Sequence, residues 1–167
     1  METATPGVLF VCLGNICRSP TAQGVFENLL VRHGVRDQVR VDSCGTSGWH
    51  VAEAPDIRAT HAAALRGIDI SGLRGRQLCA QDFVRYDYIL AMDSANLAVL
   101  KSQCPQDFQG HLRLFMDFAC DRDVAEVPDP YHAGKESFSQ VLDLVAAASE
   151  GLLQELLRNK HIAHASA

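Results

Sequence analysis

The chain has 167 residues, 47% of them hydrophobic and 21% charged, an ordinary globular balance in a chain long enough to bury a core. Lys plus Arg number 15 against 20 Asp plus Glu, for a formal net charge of −5; this argues against a nucleic-acid partner, because affinity for nucleic acid comes mostly from neutralising phosphates. No apolar run approaches the ~20 residues of a membrane-spanning helix, and METATPG lacks the basic and apolar regions of a signal peptide, so a cytoplasmic protein without a membrane partner is expected.

VLFVC (8–12) reads as a buried strand. A helix is expected from about Ser19 to His33, with Ala22, Val25, Phe26, Leu29 and Leu30 on one face, Ser19 at the cap, Pro20 in the first turn and Gly34 at its end. QVRVDSCG (38–45) alternates as a second strand, and APDIRATHAAALRG (54–67), with Pro55 near its start and Gly67 at its end, is a helix. YDYILAM (86–92) is a third strand, followed by an Asp93–Ser94 cap and a helix to about Ser102; HLRLFM (111–116) is a weaker fourth strand. The segment 137–158 is a long helix with Phe138, Val141, Leu142, Val145, Leu152 and Leu156 on one side, and Gly151 inside it costs about 1 kcal/mol relative to Ala. This alternation predicts one α/β domain over 1–167, with a mostly parallel sheet covered by helices on both faces.

The six cysteines, at 12, 17, 44, 79, 104 and 120, are irregularly spaced in a chain without an export signal, which favours reduced thiols over disulfides. Cys12 and Cys17 form a C-x4-C pair, but no second compact Cys/His pair completes a tetrahedral zinc site.

The turn between the first strand and first helix reads Cys12-Leu13-Gly14-Asn15-Ile16-Cys17-Arg18-Ser19. Ligands of open parallel sheets bind at the carboxyl ends of strands, and a helix N-terminus offers unpaired N–H groups and a positive dipole end to an anion. Gly14 lets the backbone fold around such a group, and Arg18 adds a planar fork for two phosphate oxygens. The same field favours the thiolate of Cys12, a nucleophile lying beneath an oxyanion cradle, with Ser19 placed to donate a hydrogen bond to its sulfur. Phosphoryl transfer through a covalent intermediate follows from that combination. A phosphate loop ending in Gly-Lys-Ser/Thr is missing, which excludes a nucleoside triphosphatase of that kind.

VCLGNICRSP resembles the signature of the low-molecular-weight protein tyrosine phosphatases, and DSCGTSGW (42–49), RGIDISG (66–72), FVRYDYILAMDSANL (83–97) and VPDPYH (127–132) resemble family segments in the expected order. The resemblance implies a four-stranded parallel twisted sheet flanked by helices, a phosphate loop between the first strand and first helix, and no metal or other cofactor. It implies hydrolysis of phosphotyrosine in protein substrates through phosphocysteine at Cys12, with Arg18 as the phosphate clamp, by a monomer or weak dimer. Asp129 stands between Pro128 and Pro130 in a stiffly held stretch. On residues alone it is equally a turn-shaping aspartate or an acid; the resemblance makes it the general acid and then the base for the attacking water.

Among the substrate-binding positions, Leu13, Gly14, Ile16 and Cys17 belong to the loop, with Leu13 and Ile16 at the floor and sides. Asn15 suits a left-handed turn, and the resemblance has it hold the loop open through hydrogen bonds reaching Ser43. A histidine that family members often carry in this network is replaced by Gly72. Trp49 and Tyr131 are implied as walls sandwiching an aryl ring, His132 stands where some relatives have a second tyrosine, and His50 reads as solvated surface. Cys17 is either a small packing residue or a partner that traps oxidised Cys12 as a reversible disulfide. Two related activities compete. Phosphoarginine phosphatases tend to have Thr where this chain has Ile16, and thiol-dependent arsenate reductases carry extra cysteines near 75–90, where this chain has only Cys79. A non-catalytic anion-binding module would have lost Cys12, Arg18 or Asp129, and all three are present.

Overall fold

Every residue of the first strand, β1 (Gly7–Cys12), is buried, and a strand without a polar face belongs in the middle of a sheet covered on both sides. The computed structural model, which describes residues 4–120 and 123–165, puts it there. Strands β2 (Arg40–Gly45) and β3 (Tyr88–Ala91) flank β1, and β4 (His111–Leu114) lies beyond β3, giving the order β2-β1-β3-β4 with every pair parallel. All four carboxyl ends therefore share one edge, and in register Cys12 lies opposite Gly45 and Val11 opposite Ala91.

Alternation along β1 divides the core. Val8, Phe10 and Cys12 face the larger cluster, into which α1 (Arg18–Arg32) and α5 (Glu136–Arg158) send Phe26, Leu30, Val145 and Leu152; Leu9 and Val11 face the smaller one, with Leu100 of α4 (Ser94–Gln103). Phe10 anchors the larger side, its ring 5.8 Å from Phe26 edge-on and 4.8 Å from Phe115. The four-stranded parallel sheet with helices on both faces is thus as expected.

The element ends differ in ways that matter near the loop. Helix α1 begins at Arg18 with Cys17 in the cap position and no side-chain cap bond, so Ser19 is not the cap and its hydroxyl is free for other use. The second helix, α2 (Ile57–Ala64), is shorter than the predicted 54–67; it starts later because Asp56 caps it, accepting from the Arg58 N–H. The chain then turns through Gly67 at φ 76°. A 3₁₀ turn at Arg36–Gln38 delays the start of β2. The apolar run at 111–116 splits: β4 stops at Leu114, and Phe115–Phe118 wind into a 3₁₀ turn that buries Phe115 and Met116. Helix α3 (Asp82–Arg85) has four residues, too few for any periodicity to register.

Gly151 is explained by this packing. A Cβ there would strike the backbone carbonyl of Phe118 in the 3₁₀ turn, so α5 accepts a poor helix former to lie against that turn. Gly151→Ala, which raises intrinsic helix propensity, is expected to destabilise the protein by about 1–3 kcal/mol through overpacking. Thermal denaturation checks this, and a raised Tm would show that α5 does not need the close approach.

Candidate active site

Cys12 ends β1, and the chain then curls into α1 around Asn15, whose backbone is left-handed at φ 57°. The Asn15 N–H donates to the Cys12 sulfur at 3.3 Å, and the Ser19 hydroxyl lies 3.0 Å from the same sulfur. The Asn15 side chain is buried and fully used. Its amide nitrogen donates to Ser19 Oγ at 2.8 Å and Ser43 Oγ at 3.0 Å, and its oxygen accepts from the Arg76 N–H at 3.0 Å. Because Ser19 Oγ accepts from Asn15, its own proton is left for the sulfur or for the carbonyl of Cys44 at 3.3 Å. The sulfur is nearer.

Two supports of this loop were not foreseen. Arg76 holds its backbone N–H toward Asn15 because its guanidinium is pinned by Asp42 at 3.0 Å and by both oxygens of Asp82, at 2.9 and 3.1 Å. The network runs through Arg76, while Gly72 is exposed and a Cβ there would meet nothing within 4 Å. Gly45 is the other support: a Cβ at this position would lie 2.7 Å from the Leu13 carbonyl, so the end of β2 must be glycine for the loop to lie over it.

Arg18 is 3% exposed. Its Nη1 donates to Asp93 Oδ2 at 2.6 Å and to the Val127 carbonyl at 3.0 Å, and its Nη2 is 3.7 Å from Asp129 Oδ2. Burial by itself opposes the Arg18 charge, but the Cys12 sulfur, Asp93 and Asp129 outweigh it and raise its pKa above the ordinary guanidinium value. Asp93 does two jobs, one oxygen capping α4 through the Asn96 N–H at 2.8 Å and the other fixing Arg18. Only the cap was legible; the strand-end position of Asp93, beside β1, was the available signal for the rest. Asp129 is exposed, and its Oδ1 accepts from the Tyr131 N–H at 3.1 Å. For Cys17, burial first and then Asp56 push the thiol up to about 12.

A pocket of about 170 Å³ opens over this loop. Cys12, Leu13, Gly14, Ile16, Cys17 and Arg18 line its base, and Trp49, His50, Asp129, Tyr131 and His132 its sides. Trp49 is 73% exposed and Tyr131 39%. Asn15 and Ser19 do not line the pocket; they are buried, and both contact the Cys12 sulfur. His50 belongs to the pocket wall, with its Nδ1 2.6 Å from Glu53 Oε2. No cluster of three or more metal-ligating side chains occurs among the described residues. The base instead gathers a sulfur, backbone amides at a helix start and a guanidinium, a set suited to a tetrahedral anion.

Asn15→Gly keeps the positive φ and removes the three side-chain bonds. It is expected to cost about 1–3 kcal/mol of stability and to weaken inorganic phosphate binding roughly tenfold, about 1.4 kcal/mol. Titration calorimetry with phosphate checks it, and an unchanged affinity would show that the loop keeps its shape without Asn15.

Comparison with known proteins agrees with this geometry. The sequence model of the family "Low molecular weight phosphotyrosine protein phosphatase" matches residues 7–162. The low-molecular-weight protein-tyrosine-phosphatase YfkJ of Bacillus subtilis is 37% identical over 155 residues, spanning 93% of this chain and 98% of the relative. Among solved structures, a protein tyrosine phosphatase from Entamoeba histolytica, with Hepes in its active site, superposes with a TM-score of 0.89 at 35% identity over 93% of this chain and 99% of that one. The Drosophila arginine phosphatase DARP superposes with a TM-score of 0.84 at 30% identity, over 90% and 97%. With the cysteine, arginine and aspartate meeting at one pocket on that fold, the chain belongs to the low-molecular-weight protein tyrosine phosphatase family.

Proposed function

We propose that the chain is a cysteine-dependent phosphatase that hydrolyses phosphotyrosine in proteins, working as a single catalytic domain. The observation that carries this reading is the meeting of the Cys12 sulfur, the Arg18 guanidinium and the Asp129 carboxyl at one pocket with aromatic walls.

The phosphoryl group enters with its oxygens toward the loop amides and Arg18, and the tyrosyl ring lies between Trp49 and Tyr131. The Cys12 thiolate attacks phosphorus, forming a P–S bond as the P–O ester bond breaks. Asp129 gives its proton to the departing phenolic oxygen, so tyrosine leaves neutral. Water then attacks the phosphocysteine, passing a proton to the Asp129 carboxylate. The P–S bond breaks, inorganic phosphate leaves and the thiolate returns, received by the hydrogen bonds of Ser19 and the Asn15 N–H. Asp93 keeps Arg18 aimed throughout. We place this work in the cytoplasm, a reading supported by the irregular spacing of the six cysteines, which suits a compartment that keeps thiols reduced. No described helix is long and apolar enough to cross a membrane.

The likeness to DARP makes phosphoarginine the second reading. The pocket favours tyrosine, because Ile16 gives its lining an apolar side chain where a guanidinium would need polar partners. Side-by-side turnover of matched phosphotyrosine and phosphoarginine peptides tests this. The expected result is a preference for phosphotyrosine of about 10²-fold or more, as expected when a buried polar substrate group is left unpaired, reduced in Ile16→Thr. Equal or better turnover of phosphoarginine would select the second reading.

A further inference from the structure

Asp129 lies on an irregular, exposed segment between the Phe115–Phe118 turn and α5. A proton donor nevertheless has to be placed closely, since a misplacement of about 1 Å costs on the order of 10²-fold in rate. The structure holds the backbone of this segment two residues to either side of the acid. Upstream, the Val127 carbonyl accepts from Arg18 Nη1 at 3.0 Å, and the Val127 N–H donates to the Met92 carbonyl at 2.8 Å. Downstream, the Tyr131 and Ala133 N–H groups bond locally, to Asp129 and the Pro130 carbonyl, which shapes the turn without fixing it to the body. The Tyr131 carbonyl makes that link: it accepts from Arg58 Nη2 at 3.0 Å.

Arg58 is itself held firmly. Its Nε and Nη2 meet the two oxygens of Asp56 at 3.0 and 2.9 Å, a bidentate fork, and its guanidinium lies 4.7 Å from the Phe138 ring of α5 and 5.5 Å from that of Tyr131. Asp56 is anchored in turn, its N–H donating to the Ile16 carbonyl of the phosphate loop at 2.8 Å and its Oδ1 capping α2. A continuous path therefore runs from the Ile16 carbonyl through Asp56 and Arg58 to the Tyr131 carbonyl, joining the loop that holds the nucleophile to the segment that carries the acid. Arg58 is not among the pocket-lining residues.

We propose that Arg58, forked on Asp56, is a positioning residue that fixes the distance between Asp129 and the phosphate loop. This rests on the reading of Asp129 as proton donor. Lysine cannot replace it, since one ammonium cannot span both Asp56 oxygens in the plane that also reaches the Tyr131 carbonyl.

The test compares kcat/KM of the full chain, Arg58→Met, Asp129→Ala and the double variant on a phosphotyrosine peptide and on a dinitrophenyl phosphate, whose leaving group needs no proton. Methionine keeps much of the stem packing on Phe138 and removes the fork. Arg58→Met is expected to lose about 10-fold or more on the phosphotyrosine peptide and less than about 3-fold on the activated ester, within the roughly 10²–10⁴-fold that a positioned acid supplies. In the double variant the Arg58 substitution should add little to the loss from Asp129→Ala, as expected of residues acting through one group. Equal losses on both esters, or full additivity, overturn the proposal. Asp56→Asn, which keeps an acceptor for the α2 cap, is expected to show the same selective loss and decides the question where Arg58→Met does not fold. If Asp129→Ala itself loses equally on both esters, the donor reading fails; if only the Arg58 and Asp56 variants do, the clamp alone fails.

Discussion

The 3.0 Å contact between the Cys12 sulfur and the Ser19 hydroxyl rests on an orientation that neither residue sets for itself. Asn15 sets it, by donating to Ser19 so that the serine proton is left for the sulfur or the Cys44 carbonyl, and by taking a left-handed backbone that brings its own N–H to the sulfur. Asn15 is fixed in turn by Ser43 on β2 and by the N–H of Arg76, whose side chain is locked by Asp42 and Asp82. The sheet edge, the first helix and the segment before α3 thus meet in one buried amide. Such a network is favourable only when complete, because each unsatisfied buried group costs about 1–3 kcal/mol.

Charge is arranged around the same point. A guanidinium as buried as Arg18 would be costly alone, and Asp93 at 2.6 Å offsets it while also capping α4. Asp129 stands 3.7 Å from the other end of Arg18, close enough to share its field and far enough for a phosphoryl oxygen to compete. The second thiol of the loop sits in a different field: burial and Asp56 keep Cys17 protonated well above neutral pH.

Much of this was readable in the chain because the physics is local. The Cys12-to-Ser19 spacing, the buried run before it and the apolar face after it place the loop at a strand's carboxyl end, and the structure agrees. The parallel sheet followed from alternation alone. Ser19 was misread as a cap because a serine before a proline satisfies the local rule, whereas its partner is a sulfur set by tertiary folding. The 111–116 run was read too long as strand because Phe115 and Met116 are apolar in either state; their burial under α5 comes from a 3₁₀ turn. Asp93, Arg76 and Arg58 were missed or undervalued for one reason. Each acts through a partner distant in sequence, such as Asp93 on Arg18 75 residues away and Arg58 on Tyr131 73 residues away, and no local pattern announces such pairs.

In the proposed reaction the Cys12 sulfur becomes covalently bound to phosphorus during turnover. Rapid quenching of the enzyme with a phosphotyrosine peptide, followed by mass spectrometry of the Cys12 peptide, measures this directly. A transient phosphate on Cys12 is expected to form as tyrosine is released and to disappear as inorganic phosphate appears. Tyrosine release with Cys12 unmodified at every quench time, or phosphate found on another residue, would contradict it.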